Sequence, residues 1–144
     1  MTSLTTLLVP LRRLFDAEVG EKIMIHRGEI YLIDLSNQVG SEQSGVRPAV
    51  VVQNEIGNIH SPTTIVCPLT SKQKSMAATH VNLTPEDAGV IKESTVLCEQ
   101  VRVIDKTRIK RKLGEVRNLK RLEEINQKIL VSFGIRTEVV CTQD

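Results

Sequence analysis

The sequence predicts a mainly β fold, a small and strongly bent barrel closed by one C-terminal α-helix. Short apolar runs separated by turn residues recur from residue 24 to about residue 116, which is typical of strands in a compact β protein. A single later stretch repeats its apolar residues at spacings of three and four, which indicates an amphipathic helix. The 144 residues show no break in composition, so one domain is expected.

The predicted strands follow one another closely along the chain. They cover residues 30–34, 49–53, 63–69, 80–83 and 94–104, with a further short segment at 112–116. The run at 94–104 is long enough for two segments bent near Glu99. Pro68 indicates an edge or a bulge at the end of the third strand. Asn54 and Gly57 indicate a turn after the second.

Two helices are predicted from their end signals. Thr84 followed by Pro85 is a helix start, and Gly89 should stop this helix after about one turn. The amphipathic helix begins after Asn118 as N-cap and ends at Gly134.

The first 23 residues differ from the rest and are expected to lie outside the fold, as a leader or a mobile segment. Their apolar part precedes the charges and is interrupted by Pro10, which is the wrong order for a secretory signal. A second methionine follows at Met24. No apolar stretch approaches the roughly 20 residues of a membrane span.

Charge and cysteine usage restrict the class of protein. A formal net charge of +2 does not by itself indicate nucleic-acid binding, but basic residues are concentrated between Lys106 and Arg121. Such a run is typical of a solvated face and could also steer a polyanion. The three cysteines, Cys67, Cys98 and Cys141, form no CxxC pair. They predict a reduced, cytoplasmic protein with two buried thiols and one on a tail.

The segment from Gly40 to Pro48, GSEQSGVRP, combines unusual chemistry in few residues. Its two glycines permit backbone conformations that other residues avoid. Arg47 comes directly before a wholly apolar run, so its side chain is expected at the rim of a core with the guanidinium in a cleft. The alternative for Arg47 is a structural salt bridge to Glu42.

Four segments in this order closely resemble the MazF/PemK family of toxin endoribonucleases: RGEIY at 27–31, GSEQxGxRP at 40–48, PLT at 68–70 and EQVR at 99–102. The likeness covers an endoribonuclease domain at about residues 24–135 and leaves residues 1–23 and a tail at 136–144 unexplained. It implies an SH3-like β-barrel of the PemK/CcdB type, an isologous homodimer, and cleavage of single-stranded RNA, including mRNA, without metal or other cofactor. It also implies a MazE-like antitoxin whose disordered acidic tail fills the RNA channel.

The resemblance places the catalytic arginine of the family at Arg47 and its catalytic threonine at Thr70. Cleavage without metal requires the ribose 2′-OH to attack its own phosphate, and a guanidinium can bind two phosphate oxygens at once. Arg47 is too basic to be a good general base. Glu42 is expected to orient Arg47 or to accept the 2′-OH proton. Without the family, Thr70 would be read as a turn-capping hydroxyl and Glu42 as a solvated carboxylate.

Polar residues at loop and strand ends are expected to read the RNA bases through their edges. They are Ser41, Gln43, Asn54, Ser71, Gln73, Glu99 and Gln100, with Arg27 on a phosphate. Gln100 lies inside an apolar strand, so its amide should bond to the site or be buried in a network. The three histidines, His26, His60 and His80, are far apart and are expected at the surface rather than in a catalytic pair.

Two alternatives to the ribonuclease remain. One is a non-catalytic toxin on the same barrel, resembling the gyrase poison CcdB, for which Thr70→Ala would leave toxicity intact. The other is a barrel that binds RNA through the basic run without cutting it, so that mutating the run would abolish binding. For a ribonuclease we expect only a modest, salt-dependent loss of affinity with the cleavage site unchanged.

Overall fold

The computed structural model describes residues 24–71 and 77–136. In these ranges the chain forms β1 (Glu29–Asp34), β2 (Val46–Val51), α1 (Glu55–His60), β3 (Thr63–Thr70), β4 (His80–Leu83), α2 (Pro85–Ala88), β5 (Ser94–Leu97), β6 (Arg102–Asp105), β7 (Ile109–Glu115) and α3 (Leu119–Ser132). Short 3-10 turns, Cys98–Gln100 and Lys106–Arg108, join β5 to β6 and β6 to β7. A mainly β fold with a C-terminal helix is thereby confirmed.

The strands form one antiparallel sheet in the order β4-β5-β3-β2-β1-β7, with β6 also paired to β3. β3 is the centre of the sheet, because its first half pairs with β6, its second half with β5, and its other edge with β2. The end strands β4 and β7 do not pair with each other within the described ranges. The sheet is therefore barrel-like but is not a closed ladder.

Apolar side chains cover both faces of the sheet. Alternate residues of a strand point to opposite faces, so β2 and β3 contribute to two cores. The first core contains Ile30, Val50, Cys67, Leu69, Val81, Leu83, Ala88, Val96, Cys98, Val116 and Ile125, the last of these from α3. The second contains Ile25, Tyr31, Ile33, Leu35, Ala49, Val51, Val66, Ile104 and Ile109. The apolar run that follows Arg47 is thus buried on both sides.

Two strands begin three residues earlier than predicted, and one predicted turn is a helix. β2 begins at Val46 rather than at residue 49, because Arg47 and Pro48 already pair with β1. β7 begins at Ile109 rather than at 112, also through pairing with β1. The turn predicted after the second strand is the helix α1, where the Asn54 side chain accepts a hydrogen bond of 2.8 Å from the Gly57 N–H. Asparagine favours turns and helix N-caps through the same side-chain acceptor, so local sequence did not separate the two.

The predicted helix ends and the predicted bend are confirmed. Thr84 and Asp87 form a reciprocal capping box on α2, and Gly89 ends that helix. α3 begins after Asn118, whose side chain accepts from the Lys120 N–H, and Gly134 follows its last turn. The turn Cys98–Gln100 is the bend expected near Glu99.

The thiols of Cys67 and Cys98 are free and buried, as predicted, whereas Cys141 lies outside the described residues. A hydrogen bond with Cys98 and burial raise the pKa of Cys67 far above its ordinary value. Across residues 24–71 and 77–136, no helix is long and apolar enough to cross a membrane.

Candidate active site

Arg47 is the second residue of β2 and pairs with Ile33 of β1. Its side chain is half-buried and turns back onto its own loop. Nε donates to the Ser44 carbonyl at 2.8 Å, and Nη1 donates to the Gln43 side-chain oxygen. The other N–H groups of the guanidinium bond to no described residue, so they remain available to an anion.

β2 and β3 stop pairing with each other just before the two predicted catalytic residues. The last pair of their ladder is Ala49 opposite Pro68. Beyond it, Arg47 stays paired with β1, and Thr70, which is 8% exposed, stays paired with β5. Residues two apart in a strand share a face, so both side chains belong to the face of the second core. Arg47 and Thr70 therefore flank a gap in the sheet.

Pro48 explains why this gap exists. Hydrogen-bonded and non-hydrogen-bonded pairs alternate along an antiparallel ladder. The Val52 N–H donates to the opposite Ile65 carbonyl at 2.9 Å. Val52 and Ile65 are therefore a hydrogen-bonded pair. Two residues further along each strand the next such pair is Val50 and Cys67, and the one after it would be Pro48 and Leu69. Proline has no N–H, so the ladder cannot continue through this position.

Gln100 links the Gly40–Pro48 loop to the turn between β5 and β6. Its side-chain oxygen accepts from the Gln43 N–H at 3.1 Å, and its amide nitrogen lies 3.5 Å from the Ser41 carbonyl oxygen. The amide therefore has partners, as predicted, but Gln100 lies in the turn Cys98–Gln100 and not inside a strand. Its contact with RNA stays a prediction. Since Gln43 in turn accepts from Arg47, a continuous path of contacts runs from Gln100 to the guanidinium.

The loop itself adopts the glycine conformations that the sequence predicts. Gly40 and Gly45 have φ of 60° and 82°, which other residues rarely adopt. Glu42 is exposed, and no ion pair joins it to Arg47 among the described residues, so the alternative of a structural salt bridge finds no support. Arg47 is instead oriented by Gln43 and Ser44. A catalytic role for Glu42 stays a prediction.

Glu99, predicted to contact RNA, is engaged by its neighbours. Its carboxylate accepts from the Thr79 hydroxyl at 3.0 Å and lies 3.0 Å from His80 Nε2. Burial raises the pKa of Glu99, but hydrogen bonds from its own N–H, His80 and Thr79 outweigh burial and lower the pKa below the ordinary value. His80 is buried, so its predicted surface position is wrong. The local sequence does not indicate this burial, because the partner of His80 is 19 residues away.

Arg27 and Asn54 lie at the other end of β2. Arg27 Nε donates to the Val52 carbonyl at 3.1 Å and Nη2 to Asn126 of α3, while Asn54 caps α1. Val52, just after the end of β2, is five residues along the chain from Arg47, a distance of about 17 Å in extended chain. The structure therefore does not bring these two predicted RNA-binding residues to Arg47.

Ser71 is exposed directly after Thr70, whereas Gln73 lies outside the described residues. Ser71 borders a cavity of about 400 Å³. The cavity is lined by Pro48, Leu69, Ser71, Val90, Ile91, Lys92, Ser94, Arg111, Lys112 and Leu113. Pro48 and Leu69 belong to the face opposite Arg47, so this cavity adjoins the gap from the other side of the sheet.

Arg102 is a charged residue on the face of the second core, the face that also bears Arg47. The sequence analysis gives this arginine no role. Its Nη1 is buried and has no hydrogen-bond partner among the described residues. The signal available in the sequence was its alternation with Ile104, a core residue two positions later.

Together, these groups suit phosphodiester chemistry. A guanidinium with free donors and a hydroxyl on the two sides of a gap can hold a phosphate and stabilise negative charge that develops on it. The bent β-sheet, the glycine-containing loop and this pair together agree with the resemblance to the MazF/PemK family of barrel toxins.

The chain belongs to the PemK-like, MazF-like toxins of type II toxin–antitoxin systems, whose family model matches residues 26–133. It is 43% identical over 115 residues to the endoribonuclease MazF of Staphylococcus saprophyticus, covering 79% of this chain and 95% of that protein. The crystal structure of MazF from Deinococcus radiodurans (Form-I) matches with a TM-score of 0.68 and 26% identity, over 78% of this chain and 99% of that one. A MazE-MazF structure from the same organism (Form-II) matches with a TM-score of 0.63 and 27% identity, over 79% of this chain and 99% of that one. These relatives favour RNA cleavage over the gyrase-binding alternative.

Proposed function

We propose that this protein is the toxin of a type II toxin–antitoxin pair and arrests growth by cutting single-stranded RNA, mRNA included, at short sequences without a metal ion. The observation that carries the proposal is the gap between β2 and β3, with Arg47 on one side and Thr70 on the other. Membership of the family and the name of the relative at 43% identity support the same activity.

In this mechanism the ribose 2′-oxygen forms a bond to the adjacent phosphorus and the 5′-oxygen of the next nucleotide leaves. Negative charge accumulates on the non-bridging oxygens in between. The free N–H groups of Arg47 bind those oxygens as a fork. The Thr70 hydroxyl donates to the same phosphate or to the leaving oxygen. Each donor of this kind typically contributes about 10²- to 10³-fold in rate.

Proton removal from the 2′-OH needs a group other than Arg47, whose guanidinium stays protonated at neutral pH. Glu42 is the candidate, because it is an exposed carboxylate on the same loop. The loop would have to bring it toward the gap when RNA binds, since it forms no ion pair with Arg47 in the free protein.

Base recognition would be divided along the RNA. Ser41 and Gln43 belong to the loop that bears Arg47, and Gln100 is bonded to that loop. These three side chains would read the nucleotides at the cleavage site. Ser71, Gln73 and Glu99 would serve neighbouring positions. Arg27 and Asn54, at the far end of β2, would contact RNA only at some distance from the scissile phosphate.

The proposed partners are a second copy of the chain and a MazE-like antitoxin in the cytoplasm. A homodimer is supported by apolar side chains left at the surface. Ile65 and Val103 are paired across β3 and β6 and are 37% and 60% exposed, and Phe133 after α3 is also exposed. The MazE-MazF structure of D. radiodurans supports the antitoxin by analogy.

The test is cleavage of a long transcript in EDTA by purified wild-type protein and by Arg47→Ala, Arg47→Lys, Thr70→Ala and Thr70→Ser proteins. We expect Arg47→Ala and Thr70→Ala each to lose about 10²-fold or more. Lysine should restore little at 47, because it lacks the fork, whereas serine at 70 should restore most of the rate.

Arg117→Ala, which removes an arginine from the surface next to Glu115, is the matched control. Full cleavage by Arg47→Ala would mean that a contaminating nuclease or another site does the cutting, and the proposal would fail. Sequencing the 5′ ends of the products gives the recognition sequence.

A further inference from the structure

Arg102 points to the catalytic face of the sheet. It opens β6, where Val103 is 60% exposed on one side and Ile104 is buried in the second core on the other. Side chains two apart share a face, so Arg102 lies on the side of Ile104. Arg47 and Thr70 are on that same side.

One donor of the Arg102 guanidinium is not used by any described residue. Nη1 is buried without a hydrogen-bond partner among the described residues. Buried donors of this kind are rare in folded proteins, because each loses its bonds to water without replacement. Burial lowers the pKa of Arg102, Arg108 lowers it further, and the charge of Glu42 partly offsets both.

Arg108, the neighbouring arginine, is used differently. Its Nη1 donates to the Asp34 carbonyl at 3.1 Å and lies 3.5 Å from the Ser36 carbonyl oxygen. These contacts hold the chain where it leaves β1 toward the loop. Arg108 therefore has a structural role. Arg102 makes no comparable contact with a backbone carbonyl among the described residues.

We propose that Arg102 binds a second, non-reacting phosphate of the RNA. The proposal rests on the proposed function and adds a binding residue to that site. Arg102 is opposite Val66, and Thr70 is four residues further along β3, a distance of about 13 Å. A phosphate held at Arg47 and Thr70 is therefore too far away to contact Arg102, but a neighbouring phosphate of the same RNA molecule can reach Arg102.

The negative charge of Glu42 acts on Arg102 from a distance, since no ion pair joins the two side chains among the described residues. The carboxylate favours the charged guanidinium, and the loop that carries it is fastened beside β6 through Gln100. An RNA phosphate bound at Arg102 would be repelled by this carboxylate.

The test measures binding separately from cleavage. An RNA oligonucleotide that carries the mapped cleavage site, with 2′-O-methyl ribose at the cut nucleotide, cannot be cleaved by 2′-OH attack, and its Kd is read by fluorescence anisotropy. Arg102→Gln should raise the Kd about 10-fold or more, and the slope of log Kd against log salt should fall by about 0.7, the value for one phosphate contact on a single strand. Arg117→Gln, with the same change in charge, should stay within about twofold.

Glu42→Gln sharpens the test. It should tighten binding several-fold in the wild-type background and have no such effect in the Arg102→Gln background, because the two residues act on one another. On unmodified RNA, Arg102→Gln should raise KM and leave kcat within about threefold.

An unchanged Kd for Arg102→Gln, or equal tightening by Glu42→Gln in both backgrounds, would overturn the proposal. If Arg102→Gln fails to fold, Arg102→Lys replaces it; lysine keeps the charge without the fork, and a wild-type Kd would overturn the proposal equally. A wild-type protein that binds the oligonucleotide but cuts no RNA would refute the proposed function. The role of Arg102 would then still be decided by comparing the Kd of Arg102→Gln with that of the wild type. Failure to bind RNA at all would refute both.

Discussion

Arg47 is oriented by contacts within its own loop, and under the proposed function this orientation would determine how it binds a phosphate. Gln43 and the Ser44 carbonyl use two of its donors and fix the plane of the guanidinium. The remaining donors need no rearrangement before they bind. Preorganised donors of this type stabilise charge more effectively than mobile ones.

Gln100 should control this orientation from a distance. Gln100→Ala removes the acceptor of the Gln43 N–H and the contact to Ser41, so the loop should open more often. We expect faster amide hydrogen exchange at residues 40–45, a loss of about tenfold in kcat, and a change of only about 1 kcal/mol in the free energy of unfolding.

Hydrogen exchange read by mass spectrometry and single-turnover cleavage check this expectation. Gln127→Ala is the control, since Gln127 bonds Glu123 on the exposed side of α3. Exchange at the loop that stays at the wild-type rate in Gln100→Ala would show that Gln100 does not hold the loop.

At the scale of residues, short motifs in the sequence single out Arg47, Thr70 and Gln100 as candidates, and their roles in RNA cleavage stay predictions. The burial of His80 and the unpaired donor of Arg102 cannot be predicted from the sequence, because each depends on strands that meet only after folding. The bond between Gln43 and Arg47 lies within one loop and depends on the backbone conformation of that loop. Arg27 and Asn54 were grouped with the site although a whole strand length separates them from it.

Among the elements, α2 shows how a four-residue helix is stabilised. Asp87 accepts from the Thr84 N–H at 3.0 Å and from the Asn118 side chain at 2.8 Å, and Arg121 lies 3.4 Å away. One carboxylate thus joins α2 to the start of α3. The hydrogen bonds from Thr84 and Asn118 lower the pKa of Asp87 to about 2.

This contact should make stability depend on pH in the acid range. The pKa of an unfolded Asp is about 3.9, so the contribution is complete above that pH and is lost as the pH falls toward 2. Asp87→Asn should lower the free energy of unfolding by about 1 kcal/mol at pH 7, the usual size of a helix cap.

Urea unfolding of both proteins at pH 7 and near pH 3 measures the difference, which should shrink on acidification. Glu86→Gln is the control, because it also changes a carboxylate to an amide in α2, but at an exposed residue that takes no part in the contact with α3. A difference between wild type and Asp87→Asn that is constant with pH would contradict the assignment.

Elements with strong local signals were predicted with nearly correct limits, and the others depended on pairing. α2 and α3 carry their own caps, so their starts were readable. β2 and β7 each begin earlier than predicted, because pairing with β1 extends them over polar and proline residues that a pattern of apolar residues leaves out. Arg47 was placed at a loop end for this reason and is in fact inside a strand.

At the scale of the whole molecule, two cores on opposite faces leave part of the sheet uncovered. The side of β3 and β6 that bears Ile65 and Val103 is exposed, although these residues would suit a core. Exposed apolar surface of this kind commonly marks an interface. An isologous contact between two copies would bury it.

Val103→Asp should therefore weaken the dimer. Wild-type protein should have twice the chain mass at micromolar concentration, and Val103→Asp should have the mass of one chain with an unchanged circular dichroism spectrum. Light scattering after size exclusion measures both. Leu119→Asp, at an exposed apolar residue that starts α3, should leave the dimer intact. A monomeric wild-type protein would exclude the dimer at this concentration.

Pro48 has a second effect, on the unfolded chain. The ring of a proline excludes helical backbone from the residue before it, so Arg47 is biased toward an extended conformation wherever the chain is. Less conformational entropy is lost when Arg47 enters β2. The backbone of the proposed catalytic arginine is thus ordered in part by a covalent neighbour, which lets the residue keep its place in the sheet although its side chain is only half-buried.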